Sequence, residues 1–110
     1  MSQYLVDRKR WDNMSIFEQM GNIYSEVGRS LNAKKAGRIT ERDQAIVRAL
    51  DLFDATTESL LSKKSIRLKE ILRAKDQFLS VAYDNNASSE DIDSIDRYFL
   101  HFATAARINR

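Results

Sequence analysis

Apolar residues return every three or four positions along most of this chain, in four stretches separated by short polar breaks. In the first, Ile16, Phe17, Met20, Ile23, Tyr24, Val27 and Leu31 fall on one stripe at about 100° per residue, as a helix with one buried face requires. Ser15 and Glu18 stand where a capping box belongs: the serine accepts from an N–H one turn in, and the glutamate reaches back to the serine N–H. This helix is predicted to run to about Lys35, with Gly37 after Lys34 and Lys35 as its stop. Thr40-Glu41-Arg42-Asp43 opens a second helix, an N-cap followed by an acid-rich turn. Its stripe is Ile46, Ala49, Leu50, Phe53, Thr57 and Leu60. Around Ser62 the chain is expected to turn, with no proline or glycine to enforce the break. The third helix carries Leu68, Ile71, Leu72, Phe78, Leu79 and Ala82 and ends near Tyr83. Asp84-Asn85-Asn86 reads as a turn. Ser88 or Ser89 caps the fourth helix, whose stripe is Ile92, Ile95, Phe99, Phe102, Ala103 and Ala106.

Four helices of about 20 residues, each about 30 Å long, match one another in length. Joined by short connections, they predict an all-α, antiparallel up-down-up-down four-helix bundle. Residues 1–110 form one domain on this reading, with 1–14 as an N-terminal extension. The chain has 110 residues, no proline, three glycines, 43% apolar and 31% charged residues, which is enough to bury a core without staples. The absence of cysteine removes disulfides, zinc ribbons and thiol nucleophiles. No apolar run approaches the roughly 18–20 residues that cross a bilayer. The opening MSQYLVDRKRW does not read as a secretory signal. A soluble, cytoplasmic protein is the expectation.

A net charge of +2 is too small to name a partner, but its distribution is uneven. The antiparallel fold gathers residues 1–15, 54–67 and 104–110 at one pole. Arg8, Lys9, Arg10, Lys63, Lys64, Arg67, Arg107 and Arg110 lie there against Asp7, Asp12, Asp54 and Glu58: eight cations against four anions, a net of +4. The opposite pole, 26–43 and 76–93, has five cations against eight anions, a net of −3. A basic pole bearing Trp11 and Tyr4 could neutralise phosphates and stack a base. The same charges also answer the helix dipoles, and Trp11 then lids the open end of the core.

Three further constellations stand out. Gly21, Ser25 and Gly28 share one face of the first helix, and each mid-helix glycine costs about 0.5–1 kcal/mol relative to alanine. A closely approaching backbone, from this chain or from a second subunit, would offset that. Lys75 sits inside the third helix's apolar stripe, near the level of Asp96, and a partly buried Lys75–Asp96 pair is expected to set register. Arg97 and His101, the one histidine, share an outward face of the fourth helix. Arg-x-x-x-His resembles the Arg…His pair of helical RNA-cleaving HEPN toxins, one residue short of their usual spacing. There is no phosphate-cradling glycine loop, no Glu-x-x-His pair and no H-E-x-x-H, so no metal or cofactor is expected. Asn13-Met14-Ser15 fits the glycosylation pattern by chance in a cytoplasmic protein.

Asn22-Ile23-Tyr24-Ser25-Glu26-Val27-Gly28-Arg29, Arg67-Leu68-Lys69-Glu70-Ile71-Leu72-Arg73 and Tyr98-Phe99-Leu100-His101-Phe102 resemble a family of small, uncharacterised bacterial all-helical proteins. The likeness covers about residues 11–108 and implies a fold but transfers no activity. In size, topology and basic pole the chain is also similar to the four-helix proteins encoded in ribosomal-RNA intervening sequences and to the accessory proteins of diversity-generating retroelements. That likeness is architectural and implies ring-forming bundles that engage nucleic acid and a partner enzyme. The expectation is a non-enzymatic interaction or adaptor protein, self-associating through the Gly21/Gly28 edge or an exposed helix face. The alternatives are a nucleic-acid-binding accessory protein and, remotely, the Arg97/His101 ribonuclease.

Overall fold

The structure, a computed structural model, describes residues 6–108, and the regular structure among them is entirely helical. Five helices are present among the described residues, where the periodicity predicts four. They are α1 (Arg8–Asp12), α2 (Ile16–Lys35), α3 (Ile39–Ser62), α4 (Leu68–Tyr83) and α5 (Ser89–Ile108). The added element, α1, lies in the stretch expected as an extension. Five residues are too few to display a periodicity, and Asp7 starts the turn by accepting from the Lys9 and Arg10 N–H groups at 3.1 and 3.3 Å.

The longer helices begin and end for local reasons. Ser15 Oγ accepts from the Glu18 N–H and Glu18 accepts from the Ser15 N–H, both at 3.1 Å, completing the capping box. α2 stops at Gly37, whose φ of 73° is left-handed. The Arg38 N–H then returns to the Ala33 carbonyl at 2.9 Å and the Gly37 N–H to that of Lys34 at 3.1 Å, a Schellman closure. This closure leaves no spacer, so α3 starts at once behind Arg38 and Thr40 lies in its first turn instead of capping it. The same closure ends α3 without glycine. The Ser65 N–H bonds the Leu60 carbonyl at 2.9 Å and the Lys64 N–H that of Leu61 at 3.1 Å, with Lys64 itself at φ 53°. α3 and α4 are therefore separate rods. Ser88 and Asp91 cap α5 reciprocally, at 3.0 and 3.2 Å.

α2 packs most extensively on α3 and α5, while α4 packs on those two and more lightly on α2. α2 and α5 run in opposite directions. Lys35 near the end of α2 meets Asp93 near the start of α5, whereas Gly21 lies beside Ala103 and Ala106. Arg42 of α3 reaches the Ala82 carbonyl at 3.4 Å and Lys34 of α2 that of Asp84 at 2.9 Å, satisfying carbonyls around the C-terminal end of α4. α3 is the longest helix among the described residues, 24 residues or about 36 Å.

The core centres on Phe53, Phe78 and Phe99 from α3, α4 and α5, all fully buried with ring centroids 5.9–6.4 Å apart. Aromatic pairs in such edge and offset geometries add about 0.5–1.5 kcal/mol beyond the area they bury. Met20, Ile23, Val27 and Leu31 close the core from α2. The stripes of α2, α3 and α4 differ from expectation: α2 also buries Gln19, Glu26, Ser30 and Ala33. α3 also buries Ala45, Leu52, Ala55, Thr56 and Ser59, because it receives α2 on one flank and α1 on another. Leu72 on α4 is exposed, since α4 packs the least of the long helices and a narrower stripe suffices.

Candidate interaction surfaces

Several cations of the expected basic pole are engaged inside the chain. Lys63 Nζ donates to the Asp12 carbonyl at 2.9 Å, tying the end of α3 to α1. The Arg67 guanidinium lies 5.5 Å over the Phe17 ring and 3.5 Å from Glu70. Arg8 pairs with Glu58 at 2.9 Å and Asp51 at 3.5 Å, and Asp51 also accepts from the Val6 N–H at 2.8 Å. Trp11 is 3% exposed and cannot stack a base. Its indole N–H donates to Thr56 Oγ1 at 2.9 Å and its carbonyl accepts from Gln19 Nε2 at 2.8 Å, which makes it the lid of the core. Lys9, Arg10, Lys64 and Arg107 remain exposed and without an ion pair among the described residues. Arg110 and Tyr4 lie outside the described residues.

A groove of about 560 Å³ runs along α2 and α5. Gly21, Gly28, Ala103 and Ala106 line it with small side chains, and Glu18, Arg29 and Arg107 carry its charges. A methyl built on Gly21 would lie 3.6 Å from Ala103 Cα and 3.8 Å from Ala106 Cβ, ordinary contact distances. One built on Gly28 would meet the Tyr24 ring of its own helix first, at 3.5 Å, again an ordinary contact. Packing inside the chain therefore does not demand either glycine. The outer face of α2 is Glu18, Asn22, Ser25, Arg29 and Asn32, all exposed and spaced alternately by four and three residues.

The expected Lys75–Asp96 pair is not formed. The Asp96 carboxylate instead accepts from the Tyr24 hydroxyl, at 3.2 and 3.3 Å to its two oxygens. The reason is tertiary: α5 packs mainly along α2, which turns Asp96 toward Tyr24 and away from α4. Burial pushes the Tyr24 phenol above its ordinary value, and the Asp96 charge and hydrogen bond add to the shift. Burial likewise raises Tyr98, with Glu70 adding and Arg67 opposing. Asp93 is held below the ordinary carboxylate value by the hydrogen bond and then the charge of Lys35, 2.6 Å away.

Sequence reasoning missed Glu26. It is buried and bridges Arg29 at 2.9 Å and Arg48 at 2.8 Å, the second on α3. Its place beside Val27 and three residues past Ile23 signalled burial, but Arg48 is visible only in the folded arrangement. Arg97 and His101 are both exposed on α5, and the histidine ring faces Phe102 edge-on at 6.3 Å. Among the described residues no group of His, Asp or Glu is arranged to hold a metal ion, and no helix is long and apolar enough to cross a membrane. Comparison with protein-family profiles, with curated proteins and with solved structures finds no match to this chain.

Proposed function

We propose that the four long helices act as an antiparallel up-down-up-down bundle, with α1 as its lid, whose role is to bind protein without catalysis. Its first partner on this reading is a second copy of itself, seated in the α2–α5 groove. The observation that carries the reading is the spare room at Gly21 and Gly28. Two helix-weakening residues that the chain's own packing does not need leave a groove floor open to an incoming helix. The polar face of α2 is also self-complementary. In a twofold antiparallel pairing centred between Ile23 and Tyr24, Glu18 of one copy faces Arg29 of the other and Asn22 faces Ser25. Such a pairing combines close approach with opposite charges, which fixes register more than affinity.

Analytical ultracentrifugation across micromolar concentrations tests this. The native chain is expected to dimerise, while Gly28→Leu, which fills the groove, and Glu18→Arg, which sets like charges opposite one another, are expected to stay monomeric and helical. A native monomer at every concentration overturns the reading. A second reading, nucleic-acid binding at the basic pole, draws support from the exposed, ion-pair-free Lys9, Arg10 and Lys64. It predicts binding to single-stranded RNA that weakens steeply with salt and is lost when all three become glutamine. No binding at low salt ends it.

A further inference from the structure

Two antiparallel helices leave a furrow along their outer side, and the one between α3 and α4 carries side chains that the core does not use. Phe53 stacks on Phe78, while Arg42 near the start of α3 reaches the Ala82 carbonyl near the end of α4, which fixes the register of the pair. The Arg42 guanidinium also lies 5.2 Å from the centre of the Tyr83 ring, marking the flank of α4 that faces α3. Leu72 and Asp76 share that flank with Tyr83, and Val47, Asp54 and Leu61 recur every seven residues on the matching flank of α3. All six are exposed. Leu50 and Leu79 lie between them, half-buried against the core.

Val47, Leu61, Leu72 and Tyr83 are 41–66% exposed and make up half of the eight large apolar side chains left in water among the described residues. Scattered singly they would need no explanation, but four along one furrow of about 21 Å mark an interaction surface. Two carboxylates stand at its middle. Asp54 is one residue from Phe53 toward the α3–α4 turn and Asp76 two residues from Phe78 in the same direction, so they are nearly level. Neither forms an ion pair among the described residues, whereas Asp43 and Glu58 nearby are taken by Arg42 and Arg8. Lys75, half-buried beside them on α4, pairs with neither, which leaves two negative charges against one. Lys69 stands about 10 Å from Asp76 along the helix, toward the turn.

We infer that this furrow binds one amphipathic helix of a partner protein, whose apolar heptad stripe is interrupted at its centre by a single arginine or lysine. The stripe covers Val47 and Tyr83 at one end and Leu61 and Leu72 at the other, and the cation sits between Asp54 and Asp76. A second copy fits poorly, because either twofold pairing centred on the furrow sets these carboxylates against their own counterparts. The furrow lies opposite the α2–α5 groove, since α2 and α4 are each packed between α3 and α5, so its occupancy does not depend on pairing in that groove.

The probe is a fluorescein-labelled peptide of about 18 residues, long enough to span the furrow, with leucine at its heptad a and d positions, arginine at the central one, and alanine and glutamine elsewhere. Its anisotropy is titrated with the native protein and with Gly28→Leu, in which the α2–α5 groove is filled. Both are expected to bind it saturably in the micromolar range, and the same peptide with a central glutamate at least about tenfold more weakly. Val47→Glu and Leu61→Glu, at exposed positions that leave the core intact, are each expected to lower affinity about tenfold. Asp54→Asn combined with Asp76→Asn should erase the preference for arginine over glutamate, a change that general apolar adhesion does not produce. The inference is overturned by the absence of saturable binding, by equal binding of a scrambled peptide of the same composition, or by an arginine preference that survives loss of both carboxylates. Loss of binding in Gly28→Leu would move the peptide to the α2–α5 groove, and a Gly28→Leu dimer that Leu61→Glu dissolves would give the furrow to a second copy; either result also overturns it. A native monomer that binds the peptide removes the groove pairing and leaves this inference standing.

Discussion

The three glycines of this chain are expected to respond to alanine in opposite directions. In the middle of α2, glycine costs about 0.5–1 kcal/mol relative to alanine, mostly as backbone freedom lost on folding. The new methyl at position 21 would sit 3.6 Å from Ala103 Cα and 3.8 Å from Ala106 Cβ, in contact and without overlap. At position 28 its nearest contact would be the Tyr24 ring, at 3.5 Å. Gly21→Ala and Gly28→Ala are therefore each expected to stabilise the monomer by about 0.5–1 kcal/mol, with position 21 gaining more from its contacts with α5. Seven residues, or about 10 Å along the helix, separate the two, so their effects should nearly add. Gly37 is different, because its φ of 73° lies where an alanine side chain is strained. Gly37→Ala is expected to destabilise by about 1 kcal/mol. Thermal or urea unfolding at low protein concentration, where association does not contribute, measures all three, at roughly 4–8 °C per kcal/mol for a domain near this size. The two α2 variants should also dimerise less, since both methyls stand on the groove floor. If Gly21→Ala destabilises the monomer, α5 sits closer to α2 than 3.6 Å allows, and the argument that these glycines serve an incoming partner collapses.

Lys64→Gly is expected to stabilise by about 1 kcal/mol, because Lys64 holds a left-handed φ of 53° that glycine adopts freely; urea midpoints compare the two proteins. Trp11→Phe removes the indole donor and leaves the Thr56 hydroxyl buried without it, at a cost of about 1–3 kcal/mol read from the same curves. Tyr24 has its phenol raised above 10.0, so folding favours the neutral form. Its contribution is complete below that pH and fades as pH climbs toward the folded value. Melts from about pH 9 to about pH 11 should show the native protein losing stability faster than Tyr24→Phe, and parallel losses would remove the Tyr24–Asp96 contact from the account.

Four helices and most of their ends were legible because the forces that make them are short-ranged. Ser15 with Glu18, the Gly37 stop and the Ser88 cap each act within a few residues. The break after Ser62 was placed correctly but its device was hidden, since nothing about a lysine announces a left-handed φ. α1 escaped notice because one turn shows no period, and with it went the reason that Trp11 faces inward.

What the order of residues determined alone was therefore local: which stretches are helical, where they stop, and which face of each prefers to leave water. Tertiary structure decided the partners. Asp96 turned to Tyr24 and away from Lys75, Glu26 found Arg48 across the α2–α3 seam, and Leu72 stayed in water because α4 is lightly packed. Side-chain periodicity records that a face must be covered, but not by what, because burial has no direction along the chain. A carboxylate selects its partner from whatever donor the packed helices bring within about 3 Å.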